Sequence, residues 1–253
     1  MFAKPLHLVS SIPRFAAALA VLGTLVLTGC GAIASTEPQS QVRIIDATPD
    51  VAPEARGLDI YQGPNALAYN LGFGTVTSYI QLAPGVYTIN ANTAGSKQVL
   101  SSSKATFAPS TQYTVLIGNS IANMQHLTFV DQNQPAPAGQ IALRFINQAT
   151  RISAVDIYLV PAGLRLAAVA PLVTGVVFGA NTGYLNVPTG TYSLIMLPTG
   201  TVPGGTVAAY TGPQVAYSVG SARTIVLVDQ SLVTTPSLQV ITAQDFDPPS
   251  STN

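Results

Sequence analysis

The chain has 253 residues, and its 10 basic and 10 acidic side chains give a net charge of zero. Charged residues make up only 8% of the chain, against about 25% in an average globular protein. The charge balance argues against a nucleic-acid partner, because such a partner requires a clustered basic face.

The first predicted element is a signal peptide over residues 1–29. Lys4, His7 and Arg14 come before an apolar run, Phe15 to Val26, and no acidic residue lies among them. A run of about 12 residues is too short to cross a bilayer core as a helix, but it has the usual length of a signal-peptide apolar segment.

The tetrapeptide that follows, Leu27-Thr28-Gly29-Cys30, resembles the lipobox of bacterial lipoproteins in all four positions. The resemblance implies cleavage before Cys30 and lipidation of its thiol, with a further acyl chain on the new N-terminus. Two or three chains hold a protein on a membrane far more firmly than one. The alternative is an ordinary signal followed by an inert cysteine. Gly31 stands where an aspartate would indicate inner-membrane retention, so a Gram-negative host would place the protein in its outer membrane.

An internal repeat predicts two tandem domains. The motif Val42 to Ile45 recurs as Leu143 to Ile146, and Leu58 to Tyr61 recurs as Val155 to Tyr158. Three later matches keep the same order: Phe73–Tyr87 with Phe178–Tyr192, 113–117 with 223–227, and Leu127–Val130 with Leu238–Ile241. A period of about 100 residues is typical of whole domains rather than of a solenoid.

The predicted boundaries follow from this repeat. They are a lipidated tether at 30–40, a first repeat at 41–131, a linker at 132–139, a second repeat at 140–247 and a disordered tail at 248–253. The linker carries two prolines and no apolar period, and it reads as a short, semi-stiff connection.

Short β-branched runs with frequent turns predict an all-β fold in each repeat. Tyr87, Ile89 and Ala91 alternate with polar residues, which is the pattern of a half-buried strand. Roughly seven such runs per repeat predict an immunoglobulin-like β-sandwich. The second repeat has an insertion from Pro161 to Val177, in which residues 164–169 favour a helical turn that Pro171 would end.

The ordered motifs at 42–50, 58–61, 73–79 and 84–87 resemble the bacterial domain of unknown function numbered 4397. This family occurs in secreted and surface-anchored proteins, often in tandem, and the resemblance covers about residues 41 to 245. It implies a fold and an extracytoplasmic location but no chemistry. Asp46 and Asn147 stand where many members have histidine, so any role of that histidine is absent here.

Two arginine–aspartate pairs recur in the repeats, Arg43 with Asp59 and Arg144 with Asp156. We expect each pair to bridge neighbouring strands and fix their register, at about 0.2–1 kcal/mol if exposed. The alternative is a shared ligand site.

Tyr61 and Tyr158 occupy matching positions and are candidates for a sugar-stacking surface. Against this, repeated tyrosines are commonly core residues whose hydroxyl bonds to backbone, and the chain contains no tryptophan.

A calcium site and a nucleophile elbow are two further candidates with weaker support. Asp46, Asp50, Glu54 and Asp59 fit no calcium-loop spacing. Gly118 to Ala122 followed by His126 resembles a nucleophile elbow only loosely, since the elbow requires a strand-to-helix turn and an intervening acid. We therefore expect His126 on a surface strand, and no catalytic residue, metal or cofactor.

These expectations describe a membrane-anchored envelope lipoprotein that is not an enzyme. Its predicted partners are the membrane, through lipid at Cys30, and an envelope or extracellular protein or glycan. A carbohydrate- or polymer-binding accessory protein is the alternative, and a hydrolase is a weaker one.

Overall fold

A computed structural model describes residues 38–49, 57–205, 207–230 and 238–249. The predicted signal peptide, Cys30, the tether up to residue 37 and the last four residues of the tail lie outside the described residues. Within the described part, no helix has the length and apolarity needed to cross a membrane.

The described part of residues 38–131, here the first half, contains eight strands. The strands are β1 (Ser40–Ala47), β2 (Leu58–Gln62), β3 (Asn65–Leu71), β4 (Ile80–Leu82), β5 (Gly85–Thr93), β6 (Val99–Phe107), β7 (Gln112–Gly118) and β8 (Gln125–Val130). A 3₁₀ turn over Ile121–Asn123 connects the last two strands.

Residues 140–249, here the second half, also contain eight strands within their described ranges. The strands are β9 (Gln140–Asn147), β10 (Ala154–Pro161), β11 (Val173–Val177), β12 (Asn181–Pro188), β13 (Gly190–Pro198), β14 (Tyr210–Tyr217), β15 (Ala222–Asp229) and β16 (Leu238–Phe246). A 3₁₀ turn over Leu166–Ala168 lies in the predicted insertion, where the sequence favoured a helical turn.

Each half forms two four-stranded sheets with one topology. The first half has the orders β4-β1-β7-β8 and β3-β2-β5-β6, and the second has β12-β9-β15-β16 and β11-β10-β13-β14. Strand numbers in corresponding positions differ by eight throughout. In both halves the first strand pairs in parallel with the seventh, β1 with β7 and β9 with β15.

The prediction of an all-β fold with two sandwich domains is confirmed. The described part of each half has eight strands, against the roughly seven predicted; in the first half β4 has only three residues, too few to show alternation. The proposed match of 127–130 with 238–241 was wrong. Thr114 pairs with Phe129 and the equivalent Thr224 pairs with Ala243, so 127–130 correspond to 241–244.

The four sheets are stacked in layers, with an apolar cluster between each pair of neighbouring sheets. Each half buries a core between its own two sheets, around Ile44 and Ile60 in the first half and Phe145 and Ile157 in the second. A third cluster joins the halves, and its buried members are Ile45, Ala47, Leu116, Ile146, Val226, Val228, Ile241 and Ala243. The sheets containing β1 and β9 are therefore inner sheets that face each other, and those containing β2 and β10 are outer sheets.

Candidate functional site

The two predicted arginine–aspartate pairs do not form. Arg43 lies on β1 in an inner sheet, whereas Asp59 lies on β2 in the outer sheet across the core. Arg144 on β9 and Asp156 on β10 are separated in the same way. Because β1 and β2 belong to opposite sheets, as do β9 and β10, these side chains cannot meet.

Arg43 instead contacts the other half of the molecule. Its Nε donates to the Thr114 hydroxyl at 2.8 Å, its Nη1 donates to the Gln244 carbonyl at 2.7 Å, and its Nη2 donates to the Asp245 carboxylate. Asp131 lies 3.6 Å from the same Nη2. The Arg43 side chain is only 2% exposed, so this ion pair is fully buried.

Arg144 makes the reciprocal set of contacts toward the first half. Its Nε donates to the Thr224 hydroxyl at 2.9 Å, its Nη1 donates to the Val130 carbonyl at 2.9 Å, and its Nη2 donates to Asp131. Because Val130 corresponds to Gln244 and Asp131 to Asp245, the two halves exchange equivalent bonds. This is the geometry of an approximate two-fold interface within one chain.

The two carboxylates are held in place by the same threonines. Thr114 donates to Asp131 Oδ2 and Thr224 donates to Asp245 Oδ2, each at 2.7 Å. We call these six residues the inter-half network: Arg43, Thr114, Asp131, Arg144, Thr224 and Asp245. Its two positive and two negative charges balance, which is how charged groups persist in a buried interface.

Tyrosines at equivalent positions cover the two guanidinium groups. The Arg43 guanidinium carbon lies 5.0 Å from the centre of the Tyr79 ring, and that of Arg144 lies 4.7 Å from the Tyr184 ring. The Tyr79 hydroxyl also donates to Asp131 at 2.8 Å. Burial raises the pKa of Tyr79 and of Tyr184 well above the ordinary value. Burial alone would lower the pKa of Arg43, but Asp245 and Asp131 raise it.

Asp59 and Asp156 bind backbone at the corresponding end of each outer sheet. Asp59 accepts hydrogen bonds from the amides of Asn70 and Gly95, both at 2.8 Å. Asp156 accepts from the Gly175 amide and the Thr199 hydroxyl at 2.8 Å, and from the Gly200 amide at 3.3 Å. Each carboxylate therefore joins an edge strand, β3 or β11, to the turn that follows β5 or β13, which is why the aspartate recurs.

Tyr61 lies on an open surface of the first outer sheet. Its ring meets the Tyr69 ring edge-to-face with 6.0 Å between centres, and Tyr69 is 69% exposed. The two rings border an open groove of about 580 Å³, the tyrosine groove, whose lining residues are Asp59, Tyr61, Tyr69, Asn70, Ala94, Gly95, Ser96 and Lys97.

Tyr158 is not on a surface, and its assignment to a binding surface was wrong. It is only 4% exposed and packs in a small apolar cluster with Leu197, Leu166 and Val169. The insertion after β10 supplies the last two residues, so it covers the face that is open in the first half.

The strand register explains why the two faces differ. In the first half, Asp59 and Tyr61 pair across strands with Asn92 and Asn90. In the second half, Asp156 and Tyr158 pair with Leu197 and Ile195. The cross-strand neighbours are amides in the first half and aliphatic side chains in the second, and only aliphatic neighbours can form an apolar cluster with the insertion.

The described acids of the candidate calcium site do not lie together. Asp46 on β1 and Asp59 on β2 lie in different sheets, and Asp50 and Glu54 lie outside the described residues. Throughout the described ranges, no three His, Cys, Asp or Glu side chains are grouped to hold a metal ion.

His126 lies on a strand, β8, as predicted, but it is half-buried rather than exposed. Both ring nitrogens are buried and have no hydrogen-bond partner among the residues described. Burial lowers the pKa of His126, so the neutral ring is favoured. The Ser120 amide donates to the side chain of Asn119 at 2.7 Å.

Asp46 is a buried carboxylate with one unpaired oxygen. Its Oδ1 accepts hydrogen bonds from the amide and the hydroxyl of Thr48, while Oδ2 has no partner in the described part of the chain. Burial raises the pKa of Asp46 to about 6. Asn147, its equivalent, uses its amide nitrogen to donate to the Val176 carbonyl at 2.9 Å.

Four residues of the inter-half network were missed: Thr114, Asp131, Thr224 and Asp245. The sequence does contain a signal for the acids. Thr128 is followed three residues later by Asp131, and Thr242 is followed three residues later by Asp245. The three-residue error in matching the last strands concealed this correspondence.

Comparisons with known proteins give a family match over part of the chain. No curated protein matches it. Among solved structures, the Bacillus anthracis TIE protein is 8% identical with a TM-score of 0.22, and the match covers 82% of this chain and 44% of that one. A family 26 carbohydrate-binding module from Eubacterium rectale Amy13K, in complex with maltoheptaose, is 12% identical with a TM-score of 0.22, covering 83% and 98%. TM-scores this low establish no shared function. Residues 40–158, from β1 into β10, match the model of the family described as Domain of unknown function (DUF4397).

Proposed function

We propose that this protein is a non-catalytic lipoprotein of the cell envelope that carries two copies of the DUF4397 domain and binds a ligand on the outer sheet of the first copy. The observation that carries the binding role is the tyrosine groove, which is bordered by the half-buried Tyr61 and the exposed Tyr69. The other residues singled out by the repeat, Arg43, Arg144 and Asp156, are buried.

The proposal of a second domain copy goes beyond the matched range of 40–158. Its support is the identical sheet order of the two halves and the recurrence of each network contact at an equivalent position. Display by two joined domains would present the groove through a fixed scaffold.

The proposed anchor is lipid on Cys30, and the proposed location is the membrane, the outer one in a Gram-negative host. Its support is the four-residue motif ending at Cys30. Cys30→Ser should abolish incorporation of labelled palmitate and release the protein from the membrane fraction. Unchanged labelling or an unchanged membrane fraction would contradict the anchor.

The proposed absence of catalysis is supported by the surroundings of Ser120 and His126. The histidine ring nitrogens are buried without a partner in the part of the chain described, so His126 is not poised as a general base. An esterase activity that Ser120→Ala removes would overturn this part of the proposal.

A carbohydrate- or polymer-binding accessory role is the second candidate, and the paired tyrosines favour it. Exposed aromatic rings present an apolar face with a polar edge, and polar Asn90 lies beside Tyr61 on the next strand. On a glycan array, Tyr69→Ala should lose binding while Tyr69→Phe, which keeps the ring, should retain most of it. Equal binding by wild type and Tyr69→Ala would exclude the groove as the site.

A further inference from the structure

Almost all the carboxylate side chains of the described residues are buried. Seven carboxylate side chains are described, and six of them are buried: Asp46, Asp59, Asp131, Asp156, Asp229 and Asp245. The seventh, Asp247, pairs with Arg223. The surface of the described part therefore offers little repulsion to an anionic ligand.

The positive charges are distributed differently. Arg43 and Arg144 belong to the buried inter-half network, Arg223 pairs with Asp247, and Arg151 lies 3.8 Å from Asp229. The described cations without an ion pair are Lys97, Lys104 and Arg165. Two of these three are in the first half, and Arg165 is in the insertion of the second.

Both lysines belong to the outer sheet that carries the tyrosine groove, Lys97 in the turn between β5 and β6 and Lys104 on β6. Lys97 is exposed and lines the groove together with Tyr61 and Tyr69. Lys104 is exposed on β6, where Ala105 and Phe107 point into the core, so Lys104 lies on the opposite, outward face. The one acid that lines the groove, Asp59, is buried and accepts two backbone amides.

Polar side chains fill the space between the aromatic and the basic residues. The register places Tyr61 beside Asn90 on β5, and Asn90 beside Ser102 on β6. Lys104 is two residues beyond Ser102 on the same face. With strands about 4.8 Å apart and alternate residues about 6.7 Å apart, Tyr61 and Lys104 are about 12 Å apart along the sheet.

We infer that the tyrosine groove and the adjoining face of β5 and β6 bind an acidic polysaccharide, a polymer of sugars bearing carboxylates. Sugar rings lie against Tyr61 and Tyr69, hydroxyls bond to Asn90 and Ser102, and carboxylates pair with Lys97 and Lys104. This rests on the proposed binding function and names its ligand class. Uncharged glycans would leave both lysines unused, whereas the polar row of Asn90 and Ser102 suits a hydroxyl-rich polymer better than lipid.

The test uses the full-length protein in detergent with three probes: polygalacturonate, neutral dextran and mixed detergent micelles containing anionic phosphatidylglycerol. Binding is measured by titration calorimetry at low and high salt. Wild type should bind polygalacturonate, with affinity falling as salt screens the charges. The double variant K97Q/K104Q should bind polygalacturonate about tenfold more weakly than wild type. The matched control R165Q removes the charge of the other described cation without an ion pair and should bind as wild type.

The outcomes separate this inference from the proposed function. Dextran binding that Tyr69→Ala abolishes and K97Q/K104Q leaves unchanged would overturn the acidic ligand and retain the groove. Binding to the phosphatidylglycerol micelles alone, lost in K97Q/K104Q, would overturn the inference in favour of a membrane surface. No binding to any probe by wild type would overturn both the inference and the carbohydrate role.

Discussion

The outer sheets of the two halves have the same strand order but opposite surfaces. In the first half, Tyr61 has amide neighbours and remains accessible, while in the second half Tyr158 has aliphatic neighbours and is buried beneath an insertion. The inner sheets, by contrast, exchange the same arginine contacts in both directions. The comparison teaches that the shared interface and the backbone-binding aspartates, Asp59 and Asp156, are common to both halves. The two halves differ at the outer face.

The largest expected effect comes from breaking the interface that both halves share. Asp245→Ala removes the carboxylate that Arg43 hydrogen-bonds, leaving only Asp131 at 3.6 Å and one excess buried positive charge, so we expect the free energy of unfolding to fall by about 3–5 kcal/mol. Urea denaturation measures this. R165Q, a change to an exposed unpaired cation, should stay within about 0.5 kcal/mol of wild type, and a similarly small loss in Asp245→Ala would show that the network contributes little.

The second prediction compares the equivalent tyrosines directly. Tyr158→Ala removes a buried ring from an apolar cluster, and its expected cost is about 3 kcal/mol or more in unfolding free energy. Tyr61→Ala removes a half-buried ring from an open face and should cost clearly less. Thermal unfolding of the two variants ranks them, and equal losses would mean that the two outer faces do not differ as described.

The third prediction concerns Asp46 and Asn147, another equivalent pair. The pKa of Asp46 is raised to about 6 in the folded state, so the folded protein keeps a proton that the unfolded chain releases. The stabilisation that Asp46 contributes is therefore complete below about pH 4. It is lost as the pH rises through about 6, and the loss in unfolding free energy is about 3 kcal/mol. Asp46→Asn should remove this loss, making the variant more stable than wild type by a growing margin from pH 4 to 7.

The measurement is the difference in unfolding free energy between Asp46→Asn and wild type at several pH values. The difference is needed because burial lowers the pKa of His126. The stability of the protein that depends on the neutral His126 ring is lost as the pH falls, in the opposite direction to the effect of Asp46. Both proteins contain His126, so its effect cancels. A difference that is independent of pH would contradict a raised pKa at Asp46.

Much of the fold could be predicted from the sequence, because alternation and turn residues report local structure. They identified the all-β class and many strand positions. The partners of Arg43 and Arg144 could not be predicted, since periodicity shows which residues share a face but not which strands are neighbours. Tyr158 was misplaced for a related reason: whether a tyrosine is open depends on what packs over it, here Leu166 and Val169 from the insertion.

The most direct test of the central claim, that only the first half presents a binding face, is hydrogen–deuterium exchange of the full-length protein with and without polygalacturonate. We predict that added polymer slows exchange in residues 58–71 and 85–104 and leaves 154–177 unchanged. Slowed exchange in 154–177, with none in the first outer sheet, would contradict the account.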